Sequence, residues 1–136
     1  MDPKVWGPKA WDFLHSVTLA YPQPPSEEDK DRYSAFFRSV GQVLPCVYCR
    51  KHFSETFDPQ EFARVALKDR VSMFKWSVDF HNKVNQLLQK KQVTYKEALD
   101  RMDSLYARRQ PPSASWVTLA LLLVLVLCST AFRQKQ

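Results

Sequence analysis

Residues Arg70–Gln89 read RVSMFKWSVDFHNKVNQLLQ, and the spacing of their apolar positions decides the fold class. Met73, Trp76, Ser77, Phe80, His81, Val84, Leu87 and Leu88 recur at intervals of three and four and so share one face of a long predicted helix. The flanking segments carry the same signal. Upstream, Asp58–Pro59 separates a short helix over about Gln60–Leu67 from one that begins at Pro45 and holds Cys46, Cys49 and Phe53 on one side. Before that, Ser26 is a good N-cap, followed by Glu27, Glu28 and Asp29 in the first turn, where carboxylates offset the positive end of the helix dipole. This helix runs to about Leu44 with Tyr33, Phe36, Phe37, Val40, Val43 and Leu44 as its buried stripe, and it stops because Pro45 disfavours a helical residue before it. A first helix over about Pro8–Ala20 aligns Trp11, Leu14, His15, Thr18 and Leu19. Downstream, Thr94 and Glu97 make a capping box for a last helix, YKEALDRMDSLYA. No β-branched alternation with hairpin turns competes, and the connections are short. The sequence therefore predicts an all-α domain over residues 1–109, a compact four- to five-helix bundle.

Composition narrows what such a bundle can bind. Gly7 and Gly41 are the only glycines, so neither a G-x-G-x-x-G dinucleotide loop nor a G-x-x-x-x-G-K phosphate loop can be written, and any nucleotide must be held by side chains. The net charge of +6 suits an anionic partner, but the lysines and arginines are dispersed among carboxylates along the predicted helices. No nucleic-acid footprint is read from that pattern.

The start, MDPKVWGPKAWDF, has no apolar run behind a basic residue and does not read as a secretory signal. Trp116–Phe132, WVTLALLLVLVLCSTAF, carries no charge, and at about 1.5 Å per residue it covers roughly 25 Å, near the lower limit for a bilayer-spanning helix. The expectation is a single C-terminal transmembrane helix over 116–132, with a Pro/Ser linker at 110–115 and a short basic tail at 133–136. The helical domain would then face the cytosol beside a thin, endoplasmic-reticulum-like bilayer.

Two of the three cysteines, Cys46 and Cys49, form a C-x-x-C at a predicted helix start. The unpaired amides of a helix N-terminus stabilise a thiolate, and Arg50 and Lys51 add positive charge nearby, which favours nucleophilic redox chemistry. Zinc is the rival: Cys46, Cys49 and His52 offer three ligands, with His15 or His81 needed as a fourth. The motif alone suits both. Cys128, inside the apolar segment, reads as a small buried hydrophobe.

A second constellation lies in WSVDFHNKVNQLLQKK, where His81 and Asn85 share a helix face near Trp76 and Phe80, beside Asn82, Lys90 and Lys91. By itself it reads as a satisfied histidine with exposed amides. In WGPKAWDFLH, however, Trp11 and His15 also set an indole and an imidazole one turn apart. Two such faces can sandwich a planar ring, and a flavin adenine dinucleotide (FAD) clamped between helices would serve the C-x-x-C.

The order WGPKAWDFLH, PCVYCRKHF and HNKVN resembles the Erv/ALR family of FAD-linked sulfhydryl oxidases over nearly the whole span from Trp6 to about Tyr106, most closely the short versions of large DNA viruses. The resemblance implies a homodimeric helical bundle with noncovalent FAD, in which a partner's thiolate attacks Cys46 and Cys49 faces the flavin, with oxygen reduced to hydrogen peroxide. It also implies that Gly7, Lys9, Trp11 and His15 line the flavin, and that Trp76, His81, Asn82 and Asn85 contact the rest of the dinucleotide. Lys90 takes a basic position suited to the phosphates, preceded by Gln89 where many relatives carry glycine. Tyr95 stands where related viral sequences can have tryptophan. The family's further structural disulfide and shuttle cysteines are absent, which implies a thioredoxin-like or small C-x-x-C protein as dithiol donor. With viral relatives in view, the membrane expected is host ER-like or that of a virion. The competing readings are a zinc-stabilised, tail-anchored helical adaptor and a tail-anchored scaffold.

Overall fold

The computed structural model describes residues 1–107, 118–125 and 127. Over residues 1–107 the elements are six α-helices, more than the four to five expected, and one 3-10 turn: α1 (Pro3–Leu19), α2 (Glu27–Val43), α3 (Val47–Thr56), α4 (Pro59–Val65), the 3-10 turn (Ala66–Lys68), α5 (Arg70–Leu87) and α6 (Tyr95–Ala107).

Local chemistry accounts for most of the helix starts. The Asp2 carboxylate accepts from the Lys4 amide and Pro3 occupies the first turn, so α1 begins five residues before the expected Pro8. Ser26 and Asp29 cap α2 reciprocally, and Thr94 and Glu97 do the same for α6. Asp58 and Asp69 cap α4 and α5. The C-terminus of α5 closes with the Lys90 amide donating to the Asn85 carbonyl and the Gln89 amide to the Gln86 carbonyl. That Schellman arrangement needs a left-handed residue, and Gln89 takes it with φ 53°.

Residues Met1–Met102 form one compact unit. Its core is aromatic: Phe37 of α2, Phe53 of α3, Phe62 of α4, and Trp76 and Phe80 of α5 are all buried together. Central α5 packs against α1, α3 and α4, and α2 against α3 and α4. Gly41 lets α2 approach α3, since a Cβ there would run into the Phe53 ring. Ala98 of α6 joins Phe74 and Val78 on another side of α5. The second unit begins at Asp103; its described residues are the end of α6, a helical run at 118–125, and Leu127.

Two expectations are corrected. Val43 (75% exposed), Leu87 (57%) and Leu88 (50%) belong to the apolar stripes by spacing but lie on the surface, at the C-terminal ends of α2 and α5. The transmembrane helix expected over 116–132 is not supported: among the described residues no helix is long and apolar enough to cross a membrane. The membrane-anchored location that rested on that helix falls with it. The linker at 110–115, the tail at 133–136 and Cys128 lie outside the described residues.

Candidate functional site

Helices α1 and α5 pack antiparallel, so that Trp11, His15 and Thr18 of one meet His81 and Ser77 of the other. The Trp11 indole lies flat on the His81 ring, with centroids 4.0 Å apart and planes 7° from parallel. His15 joins both helices through its two ring nitrogens: Nε2 is 3.1 Å from His81 Nδ1, and Nδ1 is 2.9 Å from Ser77 Oγ. Burial lowers both imidazoles to a pKa of about 4. For His15, Asp12 partly opposes that fall; for His81, the neighbouring His15 and Lys90 add to it. Both rings are therefore neutral at pH 7. Asp12 is itself held by Arg101 of α6 through two hydrogen bonds of 2.6 and 2.7 Å.

The cysteines sit at the other accessible end of the aromatic core. Cys46 is the N-cap of α3, and the Cys49 amide donates to its Sγ at 3.2 Å. Both are free thiols and partly exposed. Hydrogen bonds from the Cys49 thiol and then the Cys49 amide lower the pKa of Cys46. Burial, followed by the hydrogen bond to Cys46 and its charge, pushes Cys49 up to about 11. Arg50 and Lys51, expected to assist, are engaged elsewhere: Arg50 donates to the Leu44 carbonyl and Lys51 lies 3.8 Å from Glu55. One turn beyond Cys49, Phe53 is buried with its ring 5.0 Å from that of Phe80, and Phe80 is 6.2 Å from Trp11. A contiguous run of rings thus leads from the helix of the cysteines to the Trp11–His81 stack.

The other candidate residues scatter. Asn85, one turn beyond His81, is 6% exposed, and among the described residues its carboxamide makes no hydrogen bond. Gly7 has open space where a Cβ would stand, and Lys9 is exposed. Lys90 is exposed but close enough for its charge to act on His81. Asn82 is fully used in the fold, its amide donating to the Val93 carbonyl and accepting from the Val93 amide, both at 2.8 Å. Trp76 is a core residue, stacked on Phe80 and edge-on to Phe62. Tyr95 donates to Asp79, beneath Lys75, away from the histidines.

Residue-type reasoning passed over two groups. Ser77 entered only as part of an apolar stripe, although its position four residues before His81 puts both on one helix face. Trp6 opens the first motif, and its Nε1 is buried without a partner among the described residues. The antiparallel register carries the Trp6–Gly7 turn of α1 toward the Asn85 turn of α5, so two unspent polar groups lie at the same end of the α1–α5 contact. Among the described residues no three His, Cys, Asp or Glu side chains gather as a metal ligand set, so the zinc alternative has no assembled site there.

Comparison with known proteins agrees with this geometry. The Erv1 / Alr family model matches residues 8–103. A probable FAD-linked sulfhydryl oxidase of Acanthamoeba polyphaga mimivirus is 38% identical over 116 residues, covering 85% of this chain and 81% of that protein. The mitochondrial FAD-linked sulfhydryl oxidase ERV1 of Saccharomyces cerevisiae is 32% identical over 89 residues, 65% of this chain and 46% of that one. Among solved structures, the FAD binding domain of Erv1 from Saccharomyces cerevisiae superposes with a TM-score of 0.63 at 26% identity, over 76% of this chain and 96% of that one. The matched span takes in the cysteine turn, the stacked α1–α5 face and the helices that join them, and the chain belongs to the Erv1/Alr family.

Proposed function

We propose that this chain is an FAD-dependent thiol oxidase that takes two electrons from a dithiol at Cys46–Cys49 and passes them through FAD to oxygen, the sum being two thiols plus dioxygen to a disulfide plus hydrogen peroxide. The observation that carries the reading is the unequal cysteine pair, joined by Phe53 and Phe80 to a neutral, stacked Trp11–His15–His81 face. The residues fit FAD. An orphaned buried donor on Trp6, an Asn85 carboxamide that makes no hydrogen bond among the described residues, and open space at Gly7 are what a polar cofactor with flat rings requires. Lys90 would oppose its phosphate charge, and Lys9, His15, Trp11 and His81 complete the set; when bound, FAD supplies a two-electron acceptor that oxygen regenerates.

The unequal pKa values order the thiol chemistry. With the pair as a disulfide, a donor thiolate attacks Cys46 Sγ, the S–S bond breaks, and Cys49 leaves with the electron pair on the core side. Cys46 is then a neutral mixed disulfide, so its hydrogen bond and charge no longer raise the Cys49 pKa, and the Cys49 thiolate becomes accessible. The donor's second thiol attacks its own sulfur in the mixed disulfide and expels Cys46, a good leaving group because the Cys49 amide stabilises its thiolate. The donor departs oxidised.

With only Cys128 remaining in the chain, no second cysteine pair relays electrons, and a thioredoxin-like or small C-x-x-C protein is the donor in this reading. The enzyme acts as a homodimer, for which Val5 and Phe13, exposed on α1, offer apolar surface. Purified full-length protein tests the reading: a bound flavin spectrum, with oxygen uptake and peroxide release on adding a dithiol, is the expected result. Colourless protein with stoichiometric zinc overturns it.

A further inference from the structure

Two hydroxyls and two imidazoles form a chain across the α1–α5 contact, and their hydrogens can be counted. The Ser77 hydroxyl donates to the Phe74 carbonyl at 2.7 Å, and the Thr18 hydroxyl to the His15 carbonyl at 2.8 Å. Each hydroxyl has one hydrogen, so Ser77 Oγ is left as an acceptor toward His15 Nδ1, 2.9 Å away. A neutral imidazole carries one N–H. If that hydrogen is on His15 Nδ1, then His15 Nε2 is bare and must accept from His81 Nδ1 at 3.1 Å. His81 in turn has its hydrogen on Nδ1, and its Nε2, with no partner among the described residues, is a bare acceptor.

We propose that Ser77 is a positioning residue: through His15 it locks His81 in the Nδ1–H form, so that His81 Nε2 offers a lone pair to an N–H or O–H donor of bound FAD. The cofactor part rests on the oxidase reading; the tautomer part does not. The charged groups acting on the rings are Asp12 of α1, Arg101 of α6 and Lys90. The Asp12–Arg101 pair offsets its own charge, and burial keeps both rings neutral at the pH of the test.

Long-range proton–nitrogen NMR of the full chain, histidine-labelled with nitrogen-15, reads both tautomers at pH 7 without reference to activity. The expected spectrum has protonated Nδ1 and bare Nε2 on both His15 and His81; a protonated Nε2 on either overturns the proposal. In Ser77→Ala the acceptor is lost, His15 reverses to donate from Nε2, and His81 is forced to carry its hydrogen on Nε2. FAD affinity measured by titration should fall about tenfold in that variant and recover in Ser77→Thr. An unchanged His81 tautomer or unchanged affinity in Ser77→Ala overturns the relay. If Ser77→Ala does not fold, the wild-type spectrum decides. Wild-type protein that binds no FAD yet shows the expected tautomers defeats the oxidase reading and leaves the relay standing; FAD binding with His81 protonated at Nε2 does the reverse.

Discussion

Cys46 and Cys49 share a helix turn but not an environment. One receives the Cys49 amide at the open helix end, and the other is raised by burial and by its neighbour's charge. Replacing Cys46 by serine should therefore lower the pKa of Cys49 from about 11 while reducing dithiol turnover at least a hundredfold. The pH dependence of Cys49 alkylation and oxygen uptake would check the two halves separately; full turnover in Cys46→Ser would refute the assignment of roles. Gln89 poses a different residue-scale problem. Its φ of 53° is disfavoured for any residue with a Cβ, and the Schellman closure holds it there. Gln89→Gly should stabilise the protein by about 0.5–1 kcal/mol, read as a higher urea midpoint at unchanged slope.

At the scale of elements, the α2–α3 crossing places the cysteines, and Gly41 sets how close the two helices come. Gly41→Ala should cost roughly 1–3 kcal/mol, because Phe53 is fixed in the core and has nowhere to move; an unchanged melting temperature would contradict this. Asn82→Ala should cost a similar ~1–3 kcal/mol, since it frees both Val93 backbone groups that tie the α5–α6 connection. If denaturation were unaffected and only flavin affinity fell, Asn82 would be a ligand group rather than a clamp. Helices α5 and α6 were readable from period and caps because those signals are local. The surface positions of Val43, Leu87 and Leu88 were not, since spacing identifies a face but not which of its positions another helix covers. The same limit applies to the contact of His15 with Ser77, 62 residues apart, and to the engagement of Asn82 by Val93.

For the whole molecule, acid is the sharpest lever. The two imidazoles have a pKa of about 4 when folded against 6.5 when free, so between those values the unfolded chain binds protons that the folded one refuses. Stability present above pH 6.5 is lost as the pH falls toward 4. The carboxylates Asp29, Asp69 and Glu97, lowered by capping hydrogen bonds, act only below their ordinary range, which leaves pH 6.5–4.5 to the histidines. At about 1.4 kcal/mol per tenfold change in proton affinity, His15 alone accounts for roughly 3 kcal/mol, and urea titrations at pH 7 and 4.5 should differ by at least that order. A flat profile would mean that the rings are more open to water than their packing indicates. The global features legible beforehand were the all-α class, the C-x-x-C and the histidine faces; the transmembrane reading of 116–132 rested on hydropathy alone, and among the described residues no helix is long and apolar enough to cross a membrane. The unequal thiols carry one more consequence, in the count of protons. Between the lowered pKa of Cys46 and about 11 for Cys49, the reduced pair holds one proton, so its couple exchanges two electrons with one proton. Its midpoint potential then drifts by about 30 mV per pH unit, whereas a donor with two ordinary thiols drifts by about 59 mV. From the lowered pKa of Cys46 up to the ordinary thiol pKa of about 8.5, each unit of rising pH thus moves the exchange equilibrium about tenfold toward oxidised donor, making alkalinity itself a driving force for disulfide formation.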